Sequence, residues 1–449
     1  MSVPKEHGVF ASKNLESLTN NLTKKELQSL INIIQNKIKM AYYYGIVLGS
    51  DDEFLRNFPN DSEKNIEILR GRFKNGLKCP KCGHSKLNKN GKTNNSQRYI
   101  CKNCRTTFDE RSFSPLSNTK LSLDTWIKYC QEHGISYQLV DAYRYDIIDQ
   151  LKGCNVFMWH FAHHDYRDML MARPLLNAVE KMGIRVFPDY ETNWHFDDKI
   201  GEQYLLEAIG APVVPGYVFY TLREALEWID KSGFPKVFKL RGGAGAANVR
   251  LVKSRSEARR LARVAFGRGF SQFDRWGYLK DRYLKWKDGK IDLFHLLKSC
   301  GHLLVPTEYA RLHGREKGYV YFQEFIPDNA FDIRIIVCGK RAFGIKRLVR
   351  ENDFRASGSG HILYAREEID ERCVRIAFDV NRKVRAQSLA LDFVFDTGNH
   401  PLVVELSYGY ALAGYKDKCP GFWDENLEWH DGFFDPQKWQ IEDLIKILE

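Results

Sequence analysis

The run from Leu15 to Tyr44 sets Leu27, Leu30, Ile31, Ile34 and Ile38 at helical spacing behind Thr23, a capping residue, and so predicts an amphipathic helix. From Asp51 to Asn75 the chain turns polar, apart from a second amphipathic run around Ile66 to Phe73. A change of composition near Thr119 to Ser122 opens a stretch of alternating elements. There the pattern predicts a helix from Leu123 to Glu132, an apolar segment Ile135–Val140, a helix over Asp146–Leu151, a strand Val156–Phe161, a helix over Met169–Met182 and a strand Ile184–Phe187. Strands alternating with helices predict βαβ units and a small parallel sheet.

Further along, Phe234–Lys239 reads as a strand that runs into the side-chain-poor loop Leu240–Val249, and Asp332–Val337 reads as another. Leu389–Val394 and Leu402–Ser407 alternate as adjacent strands joined by the turn Asp396-Thr397-Gly398-Asn399. Between Arg250 and Gly318 lies a basic, aromatic-rich helical stretch with Trp276, Tyr278, Trp286 and Phe294, open to two readings: a substrate-binding segment or an inserted structural layer.

Charge divides unevenly. Residues 1–120 carry 21 Lys and Arg against 11 Asp and Glu, so +10 of the chain's net +11 sits in its first quarter. A concentrated basic segment is the footprint of a polyanionic partner, which predicts DNA contact through residues 1–120. Apolar runs fall well short of a membrane span and the amino terminus has no apolar signal core, so the expectation is a cytoplasmic protein without membrane contact. Of ten cysteines, Cys79, Cys82, Cys101 and Cys104 form two CxxC pairs separated by 18 residues. Each pair can set two thiolates at a turn, and four sulfurs close a tetrahedron around a structural Zn2+.

The segment Cys79–Gln131, with its Arg98-Tyr99-Ile100-Cys101 lead-in and its Phe113-Ser114-Pro115-Leu116-Ser117 run, resembles the amino-terminal zinc ribbon of insertion-sequence transposases. The helix-turn-helix and acidic catalytic domain that follow in those proteins are not evident here, so transposition chemistry is not implied.

From Asp198-Lys199 and Gly210-Ala211-Pro212-Val213-Val214-Pro215 onward, the residue order resembles the ATP-grasp superfamily, nearest to the ribosomal-protein glutamate ligase-like branch. The resemblance implies ATP and Mg2+ as cofactors and a peptide or small-molecule carboxylate and an amine as partners. Lys199 and Lys239 would reach phosphates, the backbone of Gly242, Gly243 and Gly245 would close around them, and the hinge at Glu324 and Ile326 would hold adenine. Arg334, Arg347 and Arg355 would face the transferred phosphate or acyl phosphate, since guanidinium groups bind such anions with paired hydrogen bonds. Asp392 and Glu405 would hold Mg2+ with hard oxygen ligands. Ser407 stands where the family commonly has asparagine, which weakens the second metal position. Substitution of Asp392 by Asn or Glu405 by Gln is expected to abolish turnover and leave the fold intact. His160, His163, His164 and His195 lack a complete zinc pattern and are assigned to a substrate-side loop.

The expected architecture is α/β: a helical basic segment 1–78, a zinc ribbon 79–118, a small pre-ATP-grasp α/β domain 119–197 and ATP-grasp lobes 198–449. The expected reaction is ATP-dependent carboxylate–amine ligation through an acyl phosphate. Two readings stay open beside it: a DNA-binding ribbon fused to an inactive or nucleotide-sensing ATP-grasp domain, and an ATP-grasp kinase.

Overall fold

The computed structural model describes residues 44–48, 86–93, 96–102, 107–109, 122–163, 165–243, 248–271, 314–349, 356, 361–410, 415 and 418–446. The amino-terminal helix before Tyr44, Cys79, Cys82 and Cys104, the Phe113–Ser117 run, His164, Gly245, Arg355 and the aromatic stretch around Trp276 to Phe294 lie outside these residues. The chain is mixed α/β and divides into two compact units, Met1–His160 and Phe161–Glu449.

In the first unit, strands β1 (Tyr44–Leu48), β2 (Leu87–Thr93), β3 (Ser96–Cys101) and β4 (Thr107–Asp109) precede helix α1 (Ser122–Glu132), β5 (Tyr137–Asp141) and β6 (Val156–Met158). Strands β2, β3 and β4 form a three-stranded antiparallel sheet, and β3 ends on the buried Cys101. The expectation of a parallel sheet is corrected by β1. This strand pairs antiparallel with β5 through Tyr44↔Asp141 to Leu48↔Tyr137, and antiparallel with β6 through Ile46↔Met158 to Leu48↔Val156. It therefore lies between β5 and β6. Its Ile46, Val47 and Leu48 are buried, and Tyr44, read as the end of a helix, opens it. A five-residue apolar strand abutting a long helical period offers no separate periodicity to detect.

The second unit begins with α2 (Tyr166–Lys181), β7 (Arg185–Phe187) and α3 (Lys199–Ala208). A four-stranded antiparallel sheet follows, in the order β10-β9-β13-β8, built from β8 (Gly216–Phe219), β9 (Lys236–Lys239), β10 (Val249–Val252) and, later, β13 (Val320–Glu324). Helices α4 (Leu222–Lys231) and α5 (Arg255–Phe266), capped by Thr221 and Ser254, lay small and aliphatic residues such as Ala225, Ile229, Ala258 and Leu261 on Phe238, Val320 and Phe322 of one face. Two short strands, β11 (Phe270–Ser271) and β12 (Arg315–Glu316), pair beside it.

The larger sheet runs β18-β17-β14-β15-β19-β20, with β16 paired to β15. Its strands are β14 (Phe331–Cys338), β15 (Arg341–Leu348), β16 (Ile362–Leu363), β17 (Ser388–Phe395), β18 (Pro401–Ser407), β19 (Gly421–Asp424) and β20 (Trp429–Asp431). Period-two alternation splits β14 and β17 cleanly. Ile333, Ile335, Val337, Leu389, Leu391 and Phe393 pack under helix α6 (Glu371–Val384), which contributes Cys373, Val374, Ala377 and Val380. The other face carries Ile336, Phe343, Ile345 and Ala390 against Tyr410, Tyr415 and Trp439 of helix α7 (Pro436–Ile445) and its neighbours. No helix among the described residues is long and apolar enough to cross a membrane.

Candidate functional site

On the face opposite α6, three neighbouring strands set Arg334, Asp392 and Glu405 directly across from one another, through the registers Arg334↔Asp392 and Asp392↔Glu405. Arg334 donates from Nε and Nη2 to the two Asp392 oxygens at 2.6 and 2.7 Å, and from Nη1 to Tyr415 Oη at 3.3 Å. Arg347, opposite Asp332 on β15, donates to both oxygens of that carboxylate at 2.7 and 2.6 Å and lies 2.9 Å from Asp392. Its neighbour Lys346 points to the other face, onto Glu368 and the Phe331 ring. Burial works against every charge here. At Asp392 the two guanidinium groups outweigh it and hold the carboxyl well below its ordinary range. At Asp332 burial wins, and the carboxyl is pushed up to about 6.

The pairing of β17 with β18 breaks between Asp392↔Glu405 and Phe393↔Val403, which leaves Val404 as an extra residue, a β-bulge. The bulge turns the Val404 carbonyl out of the ladder, and it accepts from Lys239 Nζ at 3.4 Å and Gln323 Nε2 at 3.5 Å. Lys239 at the end of β9 and Glu405 on β18 thus meet across the space between the two sheets. Lys199 joins them from the first turn of α3, whose start is fixed by Asp198 accepting from the Gly201 N–H. Lys199 is 5 % exposed and Lys239 4 %, so both ammonium groups are held with little water. Burial lowers Lys239 to about 8 despite Glu405 nearby. The same desolvation opposes Lys199, but Glu405, Glu202, Asp197 and Asp198 outweigh it and raise its pKa.

The glycine loop is tied to the same segment. Lys199 Nζ donates to Gly243 O at 2.6 Å, the Gly243 N–H donates to Asp197 Oδ1 at 2.7 Å, and Asn248 Nδ2 donates to Gly242 O at 3.2 Å. Gly243 sits at φ 111°, a conformation L side chains rarely adopt, which accounts for glycine there. An amide expected to face a phosphate is therefore held by a carboxylate, that of Asp197, a residue without a motif to mark it.

At the hinge, Glu324 lies opposite Lys236, on the helix-covered side of its sheet with Phe322 and Phe238. Its carboxylate accepts from Lys236 Nζ at 2.7 Å and Tyr217 Oη at 3.1 Å, and its N–H donates to Pro215 O at 2.9 Å. Its side chain is thus turned away from the face that carries Lys239, Tyr321 and Gln323, while Ile326 follows in the connection to β14. Ser407 ends β18, and its hydroxyl accepts from the Gly409 N–H at 3.1 Å. Sequence reasoning missed Glu202, which is 4 % exposed beside Lys199, Lys239 and Glu405. It also set aside His163, which lies within electrostatic reach of Asp197, Lys199 and Glu405 and whose pKa burial lowers. The buried His195 is lowered to about 4 by desolvation.

The sequence model of the RimK-like ATP-grasp domain matches residues 311–419, the span that contains β13 to β18. Human mitochondrial pyruvate carboxylase is 28% identical over 170 residues, 37% of this chain and 14% of that protein, so the chain spans a small part of the relative it matches. The D-cycloserine synthetase DcsG is similar in structure at 14% identity and a TM-score of 0.44, covering 73% of this chain and 95% of its own. A RimK domain ATP-grasp protein from Sphaerobacter thermophilus scores 0.35 at 16% identity, covering 61% and 76%.

Proposed function

We propose that this chain is an ATP-dependent carboxylate–amine ligase that works through an acyl phosphate. The observation that carries the reading is the meeting of Lys199, Lys239 and Glu405, from three separate elements, in one desolvated cluster beside the Arg334–Asp392–Glu405 row. Two buried ammonium groups flanked by carboxylates fit a polyphosphate bridged by a divalent cation better than they fit a core. Mg2+ would be held by Glu405 and Asp392, with Ser407 a weaker neighbour, and would supply charge neutralisation on the phosphates.

In this reading Lys199 and Lys239 bind phosphate oxygens and the backbone after Glu324, including Ile326, borders adenine, with the Glu324 carboxylate as a brace. Gly242, Gly243 and Gly245 give a loop whose amides close on phosphate once Asp197 yields its hold. Arg347 and Arg355 disperse charge on the transferred group. Arg334, with all three nitrogens engaged, serves to hold Asp392 in place. The substrate carboxylate attacks the γ-phosphorus in line, ADP leaves, and an amine displaces phosphate from the acyl phosphate to form the amide.

Incubation with labelled ATP, Mg2+ and a cell extract tests this: a ligase releases ADP and phosphate and yields a product that has gained an amide. Tight ATP binding without turnover favours the binding-module reading, which Ser407 motivates, and a stable phosphorylated product favours a kinase. For the first unit, the ribbon reading rests on β3 running into buried Cys101, with Zn2+ held by Cys79, Cys82, Cys101 and Cys104. One zinc per chain by elemental analysis, and salt-sensitive DNA binding that needs residues 1–120, would bear it out.

A further inference from the structure

Strand β18 is an edge of its sheet, and an edge strand leaves a row of N–H and C=O groups in need of partners. Here the segment after α3 covers it. The Val403 N–H donates to Pro212 O at 2.7 Å and the Val214 N–H to Val403 O at 2.9 Å. Beyond the bulge at Val404 no backbone among the described residues continues this cover, and the Leu406 N–H is instead received by Glu202 Oε2 at 3.4 Å. Glu202 stands three residues after Lys199 on α3, so both side chains share one helix face. Its carboxyl is desolvated and surrounded by Glu405, Lys199 and Lys239. A buried carboxyl is an expensive way to satisfy one amide, unless the position of that amide matters. Leu406 lies between Glu405 and Ser407, the two residues of β18 that face the metal position.

We propose that Glu202 is a positioning residue that fixes the metal-facing end of β18 to the lysine-bearing helix α3, so that the phosphate-binding and metal-binding groups keep one spacing. The proposal rests on the ATP-ligase reading and assigns Glu202 no contact with substrate. Its consequence is a split: loss of the Leu406 contact loosens Glu405 and weakens the metal, while the lysines still meet phosphate.

The test uses the full chain, with ADP as the nucleotide and Mn2+ as a paramagnetic probe. Metal affinity of the ADP complex is read by electron paramagnetic resonance and metal-free ADP affinity by calorimetry in EDTA. Glu202→Leu removes the acceptor and is expected to weaken Mn2+ by about tenfold, with metal-free ADP affinity held within about threefold. Glu202→Gln keeps a carbonyl acceptor of the same length and should restore Mn2+ affinity to within about threefold of the unmodified chain. Unchanged metal affinity in Glu202→Leu overturns the proposal, as does a parallel loss of metal and nucleotide, or a Gln variant as weak as Leu. Should Glu202→Leu fail to fold, amide exchange in the unmodified chain decides: a slowly exchanging Leu406 amide that exchanges no faster in Glu202→Gln supports the contact, and rapid exchange overturns it. If the unmodified chain binds no ADP at all, the ATP reading itself fails and this proposal falls with it.

Discussion

Arg334 grips both oxygens of Asp392 from the adjacent strand, at 2.6 and 2.7 Å, and Arg347 closes on the same carboxylate from one strand further. A group assigned to a metal is thus also the counterion of two buried guanidinium groups. The expectation that Asp392→Asn leaves the fold intact needs revision for that reason. Neutralising Asp392 strands buried positive charge, and breaking such a network costs about 3–5 kcal/mol. Asp392→Asn should therefore lose both turnover and thermal stability, whereas Glu405→Gln should lose turnover with a much smaller fall in Tm. Equal melting temperatures for the two variants would refute the counterion role.

Much of this site could be read from the sequence, and the reasons it could not be read completely are local. Alternation along Leu389–Val394 and Leu402–Ser407 predicted paired strands with Asp392 and Glu405 among them, because period two survives in short windows. The bulge did not announce itself: Val403 and Val404 are the same residue type, and only the pairing shows which one is extra. Glu202 and Asp197 were invisible for another reason. Carboxylates near a helix start are read as capping and surface charge, and their burial is set by contacts more than 40 residues away in sequence, such as Gly243 and Leu406. Strand β1 escaped because it pairs with partners far along the chain.

The turn of Glu324 away from Lys239 makes a second prediction. Its carboxylate braces Lys236 and Tyr217 on the helix-covered side, so Glu324→Gln should lower stability by about 1–2 kcal/mol through the weakened charge-assisted bond. Nucleotide affinity should stay within about threefold, since the proposed adenine border is backbone. Chemical denaturation and calorimetric titration of the same variant separate the two, and a large loss of ADP affinity at unchanged stability would place the side chain at the base after all.

Ser407 supports a prediction of gain. Serine offers one hydroxyl, here accepting from Gly409, where an asparagine would offer an amide oxygen that reaches further toward the proposed metal position. Ser407→Asn should lower the Mg2+ concentration needed for half-maximal ATP turnover severalfold. An unchanged or raised Mg2+ requirement would show that the position does not border the metal.

Lys239 ties the site to pH. Burial, the leading cause, lowers its pKa to about 8 in the folded chain from an ordinary 10.5. The folded state favours the neutral amine, so between about 8 and 10.5 the unfolded chain holds a proton that the folded chain lacks. In that window this lysine makes stability rise with pH; below it, the cost of the buried ammonium is present in full. A phosphate beside the amine reverses the preference and favours the charged form. Nucleotide binding should therefore take up a proton near pH 9, and affinity should fall as pH climbs above about 8. Titration calorimetry in buffers of different ionisation enthalpy measures that uptake directly. Lys239→Met should abolish it and weaken ATP at pH 7; binding with no proton uptake near pH 9 in the unmodified chain would mean that the triphosphate does not meet Lys239.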